Sequence, residues 1–223
     1  MLSNMNHIAD FNELVADVKH ATGRARSLNT VFKRIHDHFI SAIKGTGMSR
    51  ACYTVEDDNG KEWVMKVEHN THTKNPEWVW LADANKDELD SFLDSSAFPN
   101  LSSVLIPIHA WFTIGNSLIL IVPLMEVIPN INTDEMKNSY NDPRNADPDW
   151  RDIYTRAEQD CFNGDTPMTL NGKRMAIMLW LCDDVHDGNI GIFDGLIYLI
   201  DYDKKVSNSM DNKKEVEAER MFA

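Results

Sequence analysis

The stretch that most constrains this chain is Asp184-Val185-His186-Asp187-Gly188-Asn189, followed by Leu199-Ile200-Asp201. Residues 171–182 read as a helix, with Met175, Met178, Leu179 and Cys182 on one side, and deliver the chain to Asp184. Asp184 and Asn189 stand five positions apart on a tight loop, and Asp201 follows twelve positions after Asn189. Between them, Asp194-Gly195 separates two apolar runs, 190–193 and 197–200, and predicts a hairpin. Phosphoryl transfer needs a carboxylate near the attacking hydroxyl and oxygen ligands for a nucleotide-bound magnesium ion. Asp184 is expected to orient the hydroxyl and receive its proton, with Asn189 and Asp201 as magnesium ligands. His186 either stabilises charge on the transferring group or hydrogen-bonds the loop; Gly188 lets the backbone turn before Asn189. Asp-Gly-Asn alone is an ordinary turn sequence. The preceding helix and the later Asp201 favour a phosphate-metal site.

A second half-site lies upstream. Gly45-Thr46-Gly47 opens a strand, and Lys66 sits in the next, within Glu62-Trp63-Val64-Met65-Lys66-Val67. Glycines let a backbone approach phosphates closely, and a lysine on the neighbouring strand neutralises them. Strands are expected at 51–55 and 62–68, joined by Asp57-Asp58-Asn59-Gly60, where Asn59-Gly60 tolerates positive φ at both residues. Asp57 and Asp58 are read as turn residues rather than ligands. Residues 76–94 read as a helix with Trp78, Leu81, Leu89, Phe92 and Leu93 as its apolar positions. Residues 101–125 carry no formal charge, but Pro107, His109, Gly115-Asn116 and Pro123 break them into two strands rather than one membrane-spanning helix.

Two amphipathic helices are predicted before this segment. One carries Ile8, Phe11, Leu14, Val15 and Val18; the other carries Leu28, Val31, Phe32, Ile35, Phe39 and Ile43. Gly23 separates them, Ser27 or Asn29 caps the second, and both are expected to pack against the domain that follows. Residues 130–168 are polar and rich in Asn, Asp and Pro, which suits a surface insertion over a binding site with a helix near 150–162.

The 223 residues suit one two-lobed domain or two small ones, and 43% hydrophobic content is enough for a core. A formal net charge of −13 opposes direct nucleic-acid binding but not nucleotide binding, where one lysine and a metal ion neutralise phosphates locally. Cys52, Cys161 and Cys182 form no CxxC pair, which suits a reducing cytoplasm, and no secretory signal is evident.

Gly45 to Asp203 resembles the protein-kinase-like fold. The resemblance implies an α+β chain with a strand-rich small lobe and a reduced helical large lobe. It divides the chain into an N-terminal helical extension at 1–44, the small lobe and hinge at 45–128, and the large lobe with catalytic loop and charged tail at 129–223. It assigns Lys66 to the third-strand lysine and Asp184, Asn189 and Asp201 to the catalytic aspartate and the two metal ligands. Glu88, or alternatively Glu77, corresponds to the helix glutamate that pairs with the lysine. Gly45 and Gly47 fall in the nucleotide loop, and Leu118 to Val127 resembles the fifth strand and hinge, where Glu126 and Val127 supply backbone groups for adenine.

More narrowly, Gly45-Thr46-Gly47-Met48-Ser49-Arg50-Ala51-Cys52-Tyr53, Val64-Met65-Lys66-Val67, Phe98-Pro99-Asn100 and the Asp184 loop are similar to the early-gene serine/threonine protein kinases of short-tailed coliphages. That family implies ATP and Mg2+ as cofactors and host proteins as substrates, transcription or RNA-processing factors among them. It implies action in the host bacterial cytoplasm, without membrane attachment. The chain departs from the common kinase pattern in three places. Arg50 replaces the third loop glycine, Cys182-Asp183 replaces a histidine-arginine pair, and Tyr202-Asp203 replaces phenylalanine-glycine. Only 22 residues follow Asp201, so a full activation segment is not expected. The alternatives are a small-molecule phosphotransferase, since D-x-H-x-G-N also resembles aminoglycoside and choline kinase-like loops, and a catalytically silent protein that blocks a host factor through its acidic surface.

Overall fold

The computed structural model describes residues 6–47, 49–69, 83–96, 102–127, 174, 178 and 189–202. Over these the chain is mixed α+β, with a five-stranded antiparallel sheet, a three-stranded sheet and three α-helices. It divides into two compact units: residues 1–93 with 107–124, and residues 94–106 with 125–223.

The first unit begins with a 3-10 turn at Ile8–Phe11 and helices α1 (Asn12–Thr22) and α2 (Leu28–His38). Phe11, Leu14, Val18 and Thr22 are buried, as are Val31 and Ile35, so each helix presents one apolar stripe of helical period. Ser27 is the residue that caps α2, its hydroxyl accepting from the Thr30 amide at 3.4 Å. A second cap comes from a distant residue. The Asp58 carboxylate accepts from the first two amides of α1, Asn12 N at 3.1 Å and Glu13 N at 3.0 Å.

Strands β1 (Ile43–Thr46), β2 (Arg50–Glu56), β3 (Glu62–Glu68), β4 (Ala110–Ile114) and β5 (Ser117–Pro123) form the larger sheet in the order β1-β2-β3-β5-β4. Alternation divides its two faces. Ala51, Tyr53, Val55, Trp63, Met65, Val67, Ile119 and Ile121 join the buried residues of α1 and α2 in one hydrophobic core. The helices expected as an extension at 1–44 are therefore the lid of the sheet's own core. Helix α3 (Ala84–Ser95) engages the neighbouring alternate residues instead: the Asn85 side chain donates to Lys66 O at 3.0 Å and Leu118 O at 2.8 Å. Leu89 and Phe92 of this helix are buried; Trp78, Leu81 and Glu77 lie outside the described residues.

Both predicted hairpins in apolar stretches form. Gly115 turns β4 into β5 at φ 59°, and a Cβ there would meet the Arg26 backbone oxygen at 2.7 Å, so glycine is required twice over. The β2–β3 turn lies at residues 57–60, where the sequence places it. Gly60 alone takes positive φ, because the Asp57 carboxylate accepts from the Asn59 and Lys61 amides and folds the turn around itself.

The second unit contains β6 (Glu126–Val127), β7 (Ile190–Phe193) and β8 (Leu196–Leu199), paired antiparallel in that order. Asp194 and Gly195 both take positive φ (50° and 74°), which closes the β7–β8 hairpin tightly. The apolar run 118–127 is not one strand. β5 ends at Pro123, which has no amide to donate, and Glu126–Val127 pairs with β7 instead. Arg174 and Met178, the described residues of the expected 171–182 helix, are helical and buried. No helix among the described residues is long and apolar enough to cross a membrane.

Candidate functional site

The face of the larger sheet away from α1 and α2 carries a buried charge cluster. Antiparallel register places Gly45 opposite Cys52, Cys52 opposite Lys66, and Lys66 opposite Leu120. Directly paired residues point to the same face. The row therefore runs from the glycine strand to the lysine across two strand spacings, about 10 Å. Lys66 is 4% exposed, and its Nζ lies 2.6 Å from Oε1 of the fully buried Glu88 on α3. The Arg50 guanidinium, also buried, bonds the other oxygen, Oε2. One carboxylate thus holds two cations.

Local sequence explains the convergence. Arg50 and Cys52 are two apart on β2, so alternation puts both on the Lys66 side. Glu88 lies one helical turn after Asn85, whose own bonds fix α3 against β3 and β5. The Asn85 amide donates to Glu68 Oε1 at 2.5 Å, fixing the helix start as well.

Burial dominates the electrostatics. It pulls the Lys66 ammonium below its ordinary pKa, against the opposing pull of Glu88. Burial likewise pushes the Glu68 carboxyl up, and the Cys52 thiol up despite the neighbouring Lys66 and Arg50 charges. Such a site holds its lysine at low entropy and in a weakly screened environment, where a phosphate oxygen would interact strongly with it.

Gly45 and Gly47 need not be glycine for packing. A Cβ at Gly45 would meet nothing within 4 Å, and one at Gly47 only the Arg50 backbone oxygen at 3.8 Å. Both are exposed, and neither has positive φ.

In the second unit, the β7–β8 hairpin brings Asn189 and Asp201 to its open end. Ile190 pairs with Leu199, and the Ile200 amide donates to Asn189 O at 2.8 Å. Asn189 is buried and Asp201 partly exposed. Tyr202, which stands where a phenylalanine was expected, is 2% exposed and donates to Ile106 O at 3.1 Å, anchoring the chain beside Asp201. Two further bonds, Leu199 N to Val104 O and Ile106 N to Leu199 O, tie down the strand before it. Glu126 and Val127 pair with Ile192 and Gly191. Asp184, His186 and Gly188 lie outside the described residues.

The residue missed in sequence is Arg50. In the sequence it stands only as the replacement of a loop glycine, yet its two-residue spacing from Cys52 marks it as a partner for the lysine face. Oxygen donors at Asn189 and Asp201 suit magnesium, and Lys66 suits a phosphate; the imidazole-containing trio His7, Asp10 and His109 in the first unit does not suit magnesium. Compared with known proteins, the sequence matches no family model and no curated protein.

Proposed function

We propose that the chain is an ATP-dependent serine/threonine protein kinase of the phage type, with its two units as the small lobe and reduced large lobe of a protein-kinase-like fold. The observation that carries this reading is the buried Lys66–Glu88 ion pair, set in one row with Gly45. A lysine on the third strand, held by a helix glutamate and approached by an open glycine strand, is the arrangement expected for gripping nucleotide phosphates. The gathering of Asn189 and Asp201 at one hairpin end supports a magnesium site of oxygen donors.

ATP would supply the phosphoryl group and leave as ADP, and magnesium, which Asn189 and Asp201 would hold, would neutralise the phosphate charge. Lys66 holds phosphate oxygens, Glu88 keeps Lys66 aimed, and Gly45 and Gly47 leave room for the phosphates. Glu126 and Val127 offer backbone groups to the adenine. Asp184 orients the substrate hydroxyl and takes its proton, and His186 is assigned to the catalytic residues with it. Catalysis then rests on positioning and electrostatic stabilisation. The substrates are host proteins, transcription or RNA-processing factors among them.

Purified protein, labelled ATP, magnesium and bacterial extract test this reading. Labelled protein bands should form with the wild type and be lost with Asp184→Asn. Label appearing only on a small alcohol would reassign the chain to small-molecule phosphotransfer. No transfer by a folded wild-type protein would reject both enzyme readings.

A further inference from the structure

On the α1 side of the sheet, opposite Lys66, three metal-ligating side chains converge from three places in the chain. His7 precedes the 3-10 turn, Asp10 lies within it, and His109 leads into β4. Their donor atoms all lie within 4.8 Å of one another. His109 Nε2 is 3.3 Å from Asp10 Oδ2, and His7 Nδ1 is 3.8 Å from the same oxygen.

The backbone holds this trio together. His7 N donates to His109 O at 3.1 Å, and Asp10 N donates to His7 O at 3.0 Å. Just before them, the Asn6 amide grips β4 twice, donating to Trp111 O and accepting from Trp111 N, each at 3.0 Å. The His109 ring stacks on Trp63 with centroids 4.3 Å apart, and Phe11 meets it edge-on. Two of the three donors are therefore placed by main-chain bonds to each other's residues, and the third by the turn that joins them.

We propose that His7, Asp10 and His109 form a binding site for a divalent transition-metal ion of the zinc class, with its fourth position open to water. Zinc bonds of about 2.0–2.2 Å set donor–donor edges of about 3.3–3.6 Å in a tetrahedral site. The 3.3 and 3.8 Å separations to Asp10 lie close to that range. Two imidazoles and one carboxylate favour such an ion over magnesium or calcium, which take oxygen donors. The His7 and His109 rings are stacked at 11°, so their in-plane lone pairs do not yet meet at one point. Rotation of the His7 ring, whose side chain is 42% exposed, brings its nitrogen onto the ion. Bound metal would staple the segment before α1 to the sheet edge at β4, and so stabilise the fold.

The full-length protein, freed of metal, is titrated with Zn2+ alone by calorimetry and followed by thermal unfolding. Co2+ absorption separately reports nitrogen and oxygen ligation against thiolate ligation. Wild type should bind one Zn2+ at this site, with a rise in Tm and a Co2+ spectrum free of thiolate charge transfer. His7→Gln and Asp10→Asn, both at exposed side chains, should each weaken that binding roughly tenfold or more. Their metal-free Tm should stay near wild type, which separates ligand loss from unfolding. Unchanged Zn2+ stoichiometry and affinity in the double variant would overturn the proposal, as would absence of Zn2+ binding by the wild type.

Discussion

Glu88→Gln tests the charge cluster at its centre. Glu88 is fully buried and bonds both Lys66 and Arg50, themselves 4% and 7% exposed. The substitution preserves shape but leaves two buried cations without the carboxylate that joins them. Removing one partner of a buried ion pair costs about 3–5 kcal/mol. For a chain of this size, that lowers Tm by roughly 6–20 °C. Lys66→Met should be milder, because Glu88 keeps Arg50 and an apolar stem replaces an apolar stem. Its cost is roughly 1.5–3 kcal/mol, the worth of one charge-assisted hydrogen bond. Urea and thermal unfolding of the three proteins measure both costs. Glu88→Gln should be the more damaging of the two. A Glu88→Gln protein within about 1 kcal/mol of wild type, or a reversed order, would refute the view that one carboxylate holds two cations.

Three other perturbations probe separate parts of the chain. Burial, with a smaller contribution from Cys52, pushes the Tyr53 phenol up to about 12 from 10.0. Since the unfolded chain releases that proton first, stability is full below pH 10 and falls by roughly 3 kcal/mol as pH rises through 12; Tyr53→Phe should flatten this slope in denaturant titrations. Gly115→Ala should destabilise by more than about 1 kcal/mol, given its positive φ and the Arg26 backbone against its Cβ position, whereas Gly45→Ala should leave Tm unchanged and reduce phosphoryl transfer. Asp58→Ala should cost about 1 kcal/mol by uncapping α1, and amide exchange should quicken at Asn12 and Glu13.

What was legible in the sequence was local. Gly115-Asn116 and Asp194-Gly195 announce their hairpins because positive φ selects a few residue types. The buried stripes of α1 and α2 follow from helical period and Ser27 from cap chemistry, but the period overruns: Ile8 and Phe11 lie in a 3-10 turn, and Ile43, expected on the second helix, opens β1. Burial on both faces hides the character of β3. Six of its seven residues are buried, so Lys66 shows no polar alternation and is singled out only by the Gly45-Thr46-Gly47 strand beside it and the acidic loop downstream. The contacts that build the site link distant positions. Arg50 meets Glu88 across 38 residues, Lys66 meets it across 22, and Asp58 caps a helix more than 40 residues earlier. No local pattern encodes these pairings: the Lys66–Glu88 pair is expected only from the resemblance to protein kinases, and the Arg50 and Asp58 contacts depend on which strand lies beside which helix. Pro123 did carry a readable signal, a missing amide at the point where β5 ends. The division of 118–127 into a fifth strand and a hinge follows that signal, with β5 ending at Pro123 and Glu126–Val127 pairing with β7.

The most direct test of the account is the affinity of Mg–ATP for the wild-type protein beside Lys66→Met, measured by calorimetry at fixed magnesium. If the Lys66–Glu88 pair is the phosphate seat, wild type binds and the variant loses roughly tenfold or more, the equivalent of about 1.4 kcal/mol. Equal binding by the two folded proteins would contradict the account, because the buried lysine would then be a structural ion-pair partner and not a nucleotide contact.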